Sequence, residues 1–351
     1  CDAKVMGYFQ LCNIFAKKIS TMRIVGLGNA LTDVLARLHS DACFEAMGLL
    51  KGGMQLIDEE RLLKIMAIFE GLETTLASGG SAANAVSGVT RMGVEGGFIG
   101  KIGRDAYGQF FRDDMERNGV KTSLIECDQA SGCAMTLITP DGERTFGTFL
   151  GAAATLSADE LDPQMFAGYD LLHIEGYLVQ DEALILRAVQ LAKEMGLQVS
   201  FDMASYNVVK ENYAIIHTLV ENYVDILFAN EEEAMAYTGE EPRQAVETLA
   251  RHCRIAVVKC GAHGSFVGCG DAVVEVPATP EVRIDSTGAG DLYASGFLYG
   301  LSQHCSLRMC GEIGSLLAGR VIKVIGTKMS DEIWAEIKLK VAEMIAEDRG
   351  H

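Results

Sequence analysis

The strongest constraint on this chain is an alternation. Short apolar runs are followed by amphipathic stretches, again and again, along most of its 351 residues. "RIVGLG" at 23–28 reads as a strand and "SAANAVSGVTRMG" at 81–93 as a helix closed by Gly93. "GGFIGKIG" is again a strand, and "DAYGQFFRDDMERNG" a helix stopped at Gly119. The pattern continues through "DLLHIEGYLV" (strand), "DEALILRAVQLAKEMG" (helix), "LQVSFDM" (strand), "VDILFAN" (strand), "EEEAMAYTG" (helix) and "RIAVVKCG" (strand). Runs such as "DILFA" and "IAVVK" carry little polar alternation, as strands covered on both faces should. Repeated βα units predict an α/β fold, a central and mainly parallel sheet with helices on both sides.

Two regions break the rhythm. From about 122 to 150, "TSLIECDQASGCAMTLITPDGERTFGTFL" alternates with period two and turns at "PDGE", the pattern of a β-hairpin. A second extended stretch, about 33–58, contains "LKGGMQLID". Together they predict a small β-sheet lid over one end of a single large domain, 22–345. The first 21 residues precede Met22. Their apolar stretch is broken by Asn13 and Lys17, so they read as an extension rather than a signal peptide.

Composition narrows the partners. Against 30 basic side chains stand 48 acidic ones, a formal charge of -18, which excludes nucleic acid and anionic membrane as main partners. No apolar run reaches the roughly 18 residues of a membrane span. Ten scattered cysteines without a CxxC pair suggest reduced thiols and a cytoplasmic setting.

The chemistry concentrates in "DSTGAGD", 285–291, which runs straight into the helical "LYASGFLYG". A glycine-rich turn at a helix start exposes successive backbone N–H groups, and the helix adds its positive end, so such a turn suits an anion. Asp291, at the end of this nest, would stand beside a reacting group as a proton acceptor. The same residues could equally form a tight turn with Asp291 as a cap. Other phosphate motifs fail: "GLGNAL" lacks the third glycine of a dinucleotide fingerprint, which disfavours an NAD-dependent oxidoreductase, and no GxxxxGK[ST] run occurs.

In order along the chain stand "GGSAAN" (79–84), "NEEE" (230–233), "KCGAHG" (259–264) and "DSTGAGD". This constellation resembles the PfkB/ribokinase family of carbohydrate and nucleoside kinases, from Met22 to about Ile345. The resemblance implies a ribokinase-like fold and ATP-dependent phosphoryl transfer to an alcohol. It makes Asp291 the catalytic base and Gly288, Ala289 and Gly290 the anion hole for the γ-phosphate. Asn230 and Glu233 match a motif that organises Mg²⁺ and phosphate through water. Lys259, Gly261 and Gly264 match the segment beside the nucleotide. Asp33, with Gly79, Gly80 and Asn84, matches the grip on the acceptor. Asp285, Thr287 and Ser330 fall where some relatives bind a monovalent cation such as K⁺. Lids of relatives can pair, so a homodimer through the lid is an expectation from the resemblance.

Each position has a plainer reading: Asp33 as a solvated loop carboxylate, Asn230 as the cap of its helix, and His173 and His263 as structural. Arg144, after "PDGE", could reach over the acceptor or simply be exposed. Ser286 stands where relatives usually carry Thr and keeps the hydroxyl. "GLGNALTDVLARL" resembles adenosine kinases, in which Asn29 and Asp33 would face a ribose, and "LLAGRVIKVIGTKM" at 316–329 would wall the adenine of ATP. The expected acceptor is a nucleoside of adenosine type. The alternatives are a fructose-, ribose- or ketodeoxygluconate-type sugar, or a non-catalytic ligand-binding relative.

Overall fold

The computed structural model describes residues 22–38, 47–51, 53–139 and 144–349. The leading 21 residues, the "PDGE" turn and part of the 33–58 stretch lie outside it.

Seven parallel strands form the body of a nine-stranded sheet. They are β12 (Ile255–Lys259), β11 (Ile226–Asn230), β10 (Gln198–Asp202), β9 (Leu171–Glu175), β1 (Ile24–Leu27), β5 (Gly96–Gly103) and β6 (Lys121–Cys127), side by side in that order. β13 (Ser265–Cys269) and β14 (Ala272–Val276) extend the β12 edge antiparallel. Neighbouring residues of β1 serve opposite faces. Val25 and Leu27 pack with the helices Glu182–Glu194, Tyr213–Asn222 and Pro242–Leu249, whereas Ile24 packs with Ser81–Arg91, Ala106–Arg117 and Ala289–Ser302. Both faces are therefore dry, as the unbroken apolar runs require.

The second sheet has five strands, ordered β3 (Met54–Leu56), β8 (Arg144–Phe149), β7 (Gly132–Ile138), β2 (Leu31–Arg37) and β4 (Thr74–Gly79). Val34, Ala36, Cys133, Met135 and Leu137 bury one face against the helix Glu59–Phe69. On β2 the alternate residues Leu31, Asp33 and Leu35 stay half-buried on the other face.

One boundary needs correcting. The stretch from about 122 was expected to belong wholly to the small sheet, yet Lys121–Cys127 pairs parallel with β5 at the edge of the large one. Edge strands with one partly solvated face alternate as hairpins do, and β6 is only half-buried along its length. The antiparallel hairpin is β7 with β8, starting at Gly132. β4, which the sequence pattern did not reveal, completes the small sheet beside β2.

Candidate active site

Four adjacent parallel strands end in a polar residue after an apolar run: Glu175 on β9, Asp202 on β10, Asn230 on β11 and Lys259 on β12. Asp202 sits in register with Glu175, and Asn230 with Lys259, so one edge of the sheet presents a row of ionisable and amide groups. Ligands of open α/β sheets bind outside this carboxyl edge.

The helix Ala289–Ser302 starts above that row. Its cap position, Gly288, has φ 74°, and no side chain caps the helix. Ala289 N turns back to Ser286 O at 3.2 Å, and no side chain takes the other amides at this start, which face the space in front of them. A left-handed residue here favours glycine, and a Cβ on Gly288 would lie 2.5 Å from Thr327 Cγ2. Asp291 falls in the same first turn.

Asp291 is held from a second helix. Ser81 Oγ donates to its Oδ1 at 2.7 Å and Asn84 Nδ2 to its Oδ2 at 2.9 Å. Ser295 Oγ, one turn on, donates to Ala85 O at 2.8 Å and locks the two helices together. Desolvation raises the Asp291 carboxyl above its ordinary range, against the pull of these two hydrogen bonds. The chain enters the Ser81 helix through Gly80 at φ 97°, where a Cβ would stand 2.2 Å from Asn29 O. Only glycine permits that approach.

Beneath this junction lies Glu175. It accepts from Asn29 N at 2.9 Å, Asn29 Nδ2 at 2.6 Å and Ala82 N at 3.1 Å. Desolvation pushes it up to about 7 despite these three donors. Asn29 is thus engaged by Glu175, and its amide serves the junction that carries Ser81 and Asn84.

At the other end of the row, Lys259 Nζ pairs with Asp202 Oδ2 at 2.8 Å. The same ammonium stands 3.1 Å from where a Cβ on Gly290 would be, beside the nest. Desolvation pushes the Asp202 carboxyl upward, but Lys259 outweighs it and the group stays below the usual range. Glu233 is buried and raised to about 7 by desolvation and then by Asp202. Asn230 and Glu233 bond each other reciprocally: Asn230 Nδ2 donates to Glu233 Oε1 at 2.7 Å, and Glu233 N donates to Asn230 Oδ1 at 2.8 Å. The pair closes its helix as a capping box while facing the cavity. His173 contributes no charge: its ring bonds Ser200 Oγ, and burial lowers it to about 4.

A cavity of about 870 Å³ joins these parts. Asp291 and Gly288–Gly290 line one end with Asn230, Glu233 and Lys259, and Gly261 and Gly264 lie on its wall. Ala318, Gly319 and Ile322 line it too, within the stretch expected to wall an adenine. Asp33 lies on β2, with its carboxylate packed over Gly79 of β4. It is pushed up to about 7 by desolvation and by Asp291, against Lys328.

Some expected residues stay apart. Asp285 Oδ1 accepts from Thr287 N and Oγ1, and its Oδ2 from Gly326 N. Ser330 accepts from Ile333 N at the start of the final helix. Arg144 opens β8 opposite Ile138, and its side chain lies outside the described residues. His263 sits in the short turn Gly261–His263. Glu175, Asp202 and Ser81 were not singled out in the sequence. A polar residue closing an apolar parallel strand is the signal that would have found the first two.

The residues matching the pfkB family carbohydrate kinase pattern run from 48 to 334. An uncharacterised sugar kinase of Archaeoglobus fulgidus is 30% identical over 243 residues, 69% of this chain and 96% of that protein. A 5-dehydro-2-deoxygluconokinase of Clostridium botulinum is 28% identical, over 76% of this chain and 87% of its own length. Among solved structures, an adenosine kinase from Sinorhizobium meliloti superposes with a TM-score of 0.80 at 32% identity, over 92% of this chain and 100% of that one. A probable sugar kinase from Rhizobium etli gives 0.81 at 30% identity, over 93% and 100%. Fold and relatives define a small-molecule kinase with a hydroxyl acceptor. The chain belongs to the pfkB family of carbohydrate kinases.

Membership implies ATP and a divalent metal. Among the described residues no three His, Cys, Asp or Glu side chains converge as a metal cage. Asp202 and Glu233 nevertheless face the cavity, which fits Mg²⁺ that keeps its waters and is held largely by phosphates. No helix among the described residues is long and apolar enough to cross a membrane.

Proposed function

We propose that this chain transfers the γ-phosphate of ATP to a hydroxymethyl group of an adenosine-type nucleoside, with Asp291 as base. The observation that carries this reading is Asp291 in the same helix start as the Gly288 and Gly290 amides, which no side chain caps, all of them lining one cavity. Ser81 and Asn84 each occupy one carboxylate oxygen and leave lone pairs for an incoming hydroxyl. As the new O–P bond forms and the bond to ADP breaks, the hydroxyl proton passes to Asp291. The amides of the nest face the charge that spreads over the transferring group. Lys259, beside Gly290, adds positive potential, and Asn230 with Glu233 would hold Mg²⁺ through water. When bound, that ion supplies neutralisation of the β- and γ-phosphate oxygens. Asp33, over Gly79, would accept from acceptor hydroxyls.

The likeness to the Sinorhizobium adenosine kinase supports a nucleoside. A sugar acceptor is the second reading, supported by the sugar kinase and gluconokinase names among the relatives. Pairing of two copies along the lid fits its open β4 edge and exposed Leu76. An ATP-consumption panel over nucleosides and sugars, blanked with Asp291→Asn, tests the proposal. Adenosine should give the highest kcat/KM, and a sugar exceeding it would replace the acceptor. Asp33→Ala should raise the acceptor KM by about 10- to 100-fold, because a buried partner left unpaired costs about 1–3 kcal/mol. The KM for ATP should move less than twofold, and a rise shared by both substrates would remove Asp33 from the acceptor site.

A further inference from the structure

A second, smaller cavity borders Asn84, one of the two side chains that hold Asp291. It measures about 30 Å³ and runs between the helix Ser81–Arg91, the first turn of Ala289–Ser302 and the stretch 327–334. Asn84, Arg91, Leu292, Thr327, Lys328 and Trp334 line it. Three of these carry a buried polar atom with no hydrogen-bond partner among the described residues: Asn84 Oδ1, Thr327 Oγ1 and Arg91 Nε. Asn84 and Thr327 are each only 7% exposed. Few buried polar atoms go unpaired in a folded protein, so three around one small cavity call for a shared partner.

The chemistry of the three atoms restricts that partner. An amide oxygen only accepts, a guanidinium nitrogen only donates, and a hydroxyl does either. A cation would meet the Arg91 guanidinium, and an anion would meet the Asn84 carbonyl oxygen. The Lys328 ammonium is already engaged: it donates to Ser78 Oγ at 2.7 Å and pairs with Asp114 Oδ2 at 3.5 Å. What remains is a small neutral molecule that both gives and takes hydrogen bonds. A water needs at least roughly 10–15 Å³ and two to four polar partners, and the cavity offers both.

We propose that this cavity holds one structural water that accepts from Arg91 Nε, donates to Asn84 Oδ1 and bonds the Thr327 hydroxyl, tying the support of the catalytic base to the support of the nest. The bracing role rests on the functional reading above; the water site itself does not. Asn84 spends Nδ2 on Asp291 Oδ2 at 2.9 Å, so a donor at its other end completes the amide and fixes its plane. Thr327 serves the neighbouring element, because its Cγ2 stands 2.5 Å from where a Cβ on Gly288 would be. With its methyl against Gly288, Thr327 has its hydroxyl left for the cavity it lines. Arg91 is anchored by Asp331 and lies 5.7 Å from the centre of the Trp334 ring. It stands two helical turns from Asn84, on the same face.

Crystals of the wild type and of Thr327→Val, resolved finely enough to place waters, test the site without turnover. The wild type should show one water within hydrogen-bond reach of Asn84 Oδ1, Thr327 Oγ1 and Arg91 Nε, and Thr327→Val should lose or displace it. A dry cavity, an ion there, or a water reaching only one of the three atoms would overturn the proposal. Kinetics test the brace. Thr327→Val keeps the methyl facing Gly288 but removes the hydroxyl. It should lower kcat about tenfold, the usual cost of leaving a buried partner unpaired, with both KM values within about twofold. Because a loosened Asn84 steadies the charged Asp291 less, the acid limb of kcat/KM should move upward by about half a pH unit. Asp33, Glu175, Asp202 and Lys259, the charges that also act around Asp291, are untouched by the substitution. Thr327→Ser keeps the hydroxyl and should retain both the water and the wild-type acid limb. Equal effects of the two substitutions would assign the loss to the methyl contact and reject the brace. A water found in place in a chain that phosphorylates nothing would support the site and reject only the functional reading.

Discussion

Asp291→Asn should lower kcat by about 10²–10⁴, the usual worth of a positioned proton acceptor, while nucleotide affinity is unchanged or tighter. The substitution keeps the shape of the side chain, so Ser81 and Asn84 remain beside a polar group and the two helices stay locked by Ser295. Removing a negative charge from the nest side can only favour an incoming phosphate. Steady-state kinetics beside calorimetric ATP titration separates the two effects. Wild-type turnover in the variant would end the assignment. The pH profile adds a second handle: the Asp291 carboxyl is raised by desolvation, so the acid limb of kcat/KM should fall above the ordinary carboxylate range.

Gly288→Ala should reduce kcat by about 10²–10³, comparable to the loss of one oxyanion donor. Two separate strains act together. The backbone stays at φ 74°, which costs a non-glycine residue about 1–3 kcal/mol. The new methyl also meets Thr327 Cγ2 at 2.5 Å. Relief of either moves the helix start and misaligns its amides. Because Thr327→Ser removes the opposing methyl, the double variant should recover part of the activity, leaving the conformational share. Full activity in Gly288→Ala alone would mean the amides do not face the transferred group.

Much of this arrangement was legible in the sequence for a physical reason. Parallel strands buried on both faces must be nearly all apolar, and "IAVVK" or "DILFAN" can hardly be anything else. The glycine-rich heptapeptide was readable because glycines at a helix start bring no capping side chain and permit the left-handed turn that Gly288 adopts. What escaped depended on distant partners. Ser81 and Asn84 hold Asp291 across some two hundred positions of chain, and the close packing of Gly88 against Ser295 lets the two helices approach. Glu175 looks like the end of an apolar strand until Asn29 and Ala82 are seen to converge on it. Lys328 lies in a stretch read as a nucleotide wall, but its ammonium turns toward Ser78. The edge strand β6 was misplaced because half-solvated strands of either sheet alternate in the same way.

The strands of the small sheet come together at one level beside the large sheet. Leu31 pairs with Gly79 on one side and Gly132 on the other, and a Cβ on Gly132 would lie 2.6 Å from Leu150 O. The ends of β2, β4 and β7 and the residue after β8 therefore meet at one level, and the helix Ala106–Arg117 ties them there: Tyr107 O accepts from Thr32 Oγ1, and Asp114 accepts from Ser78. At roughly 3.3 Å per residue, Asp33 stands about 7 Å from that level and Arg37 about 20 Å. The carboxylate thus stands near the anchored end of its strand, with the rim about three times as far out, so a group that must hold still sits where the sheet is tied down.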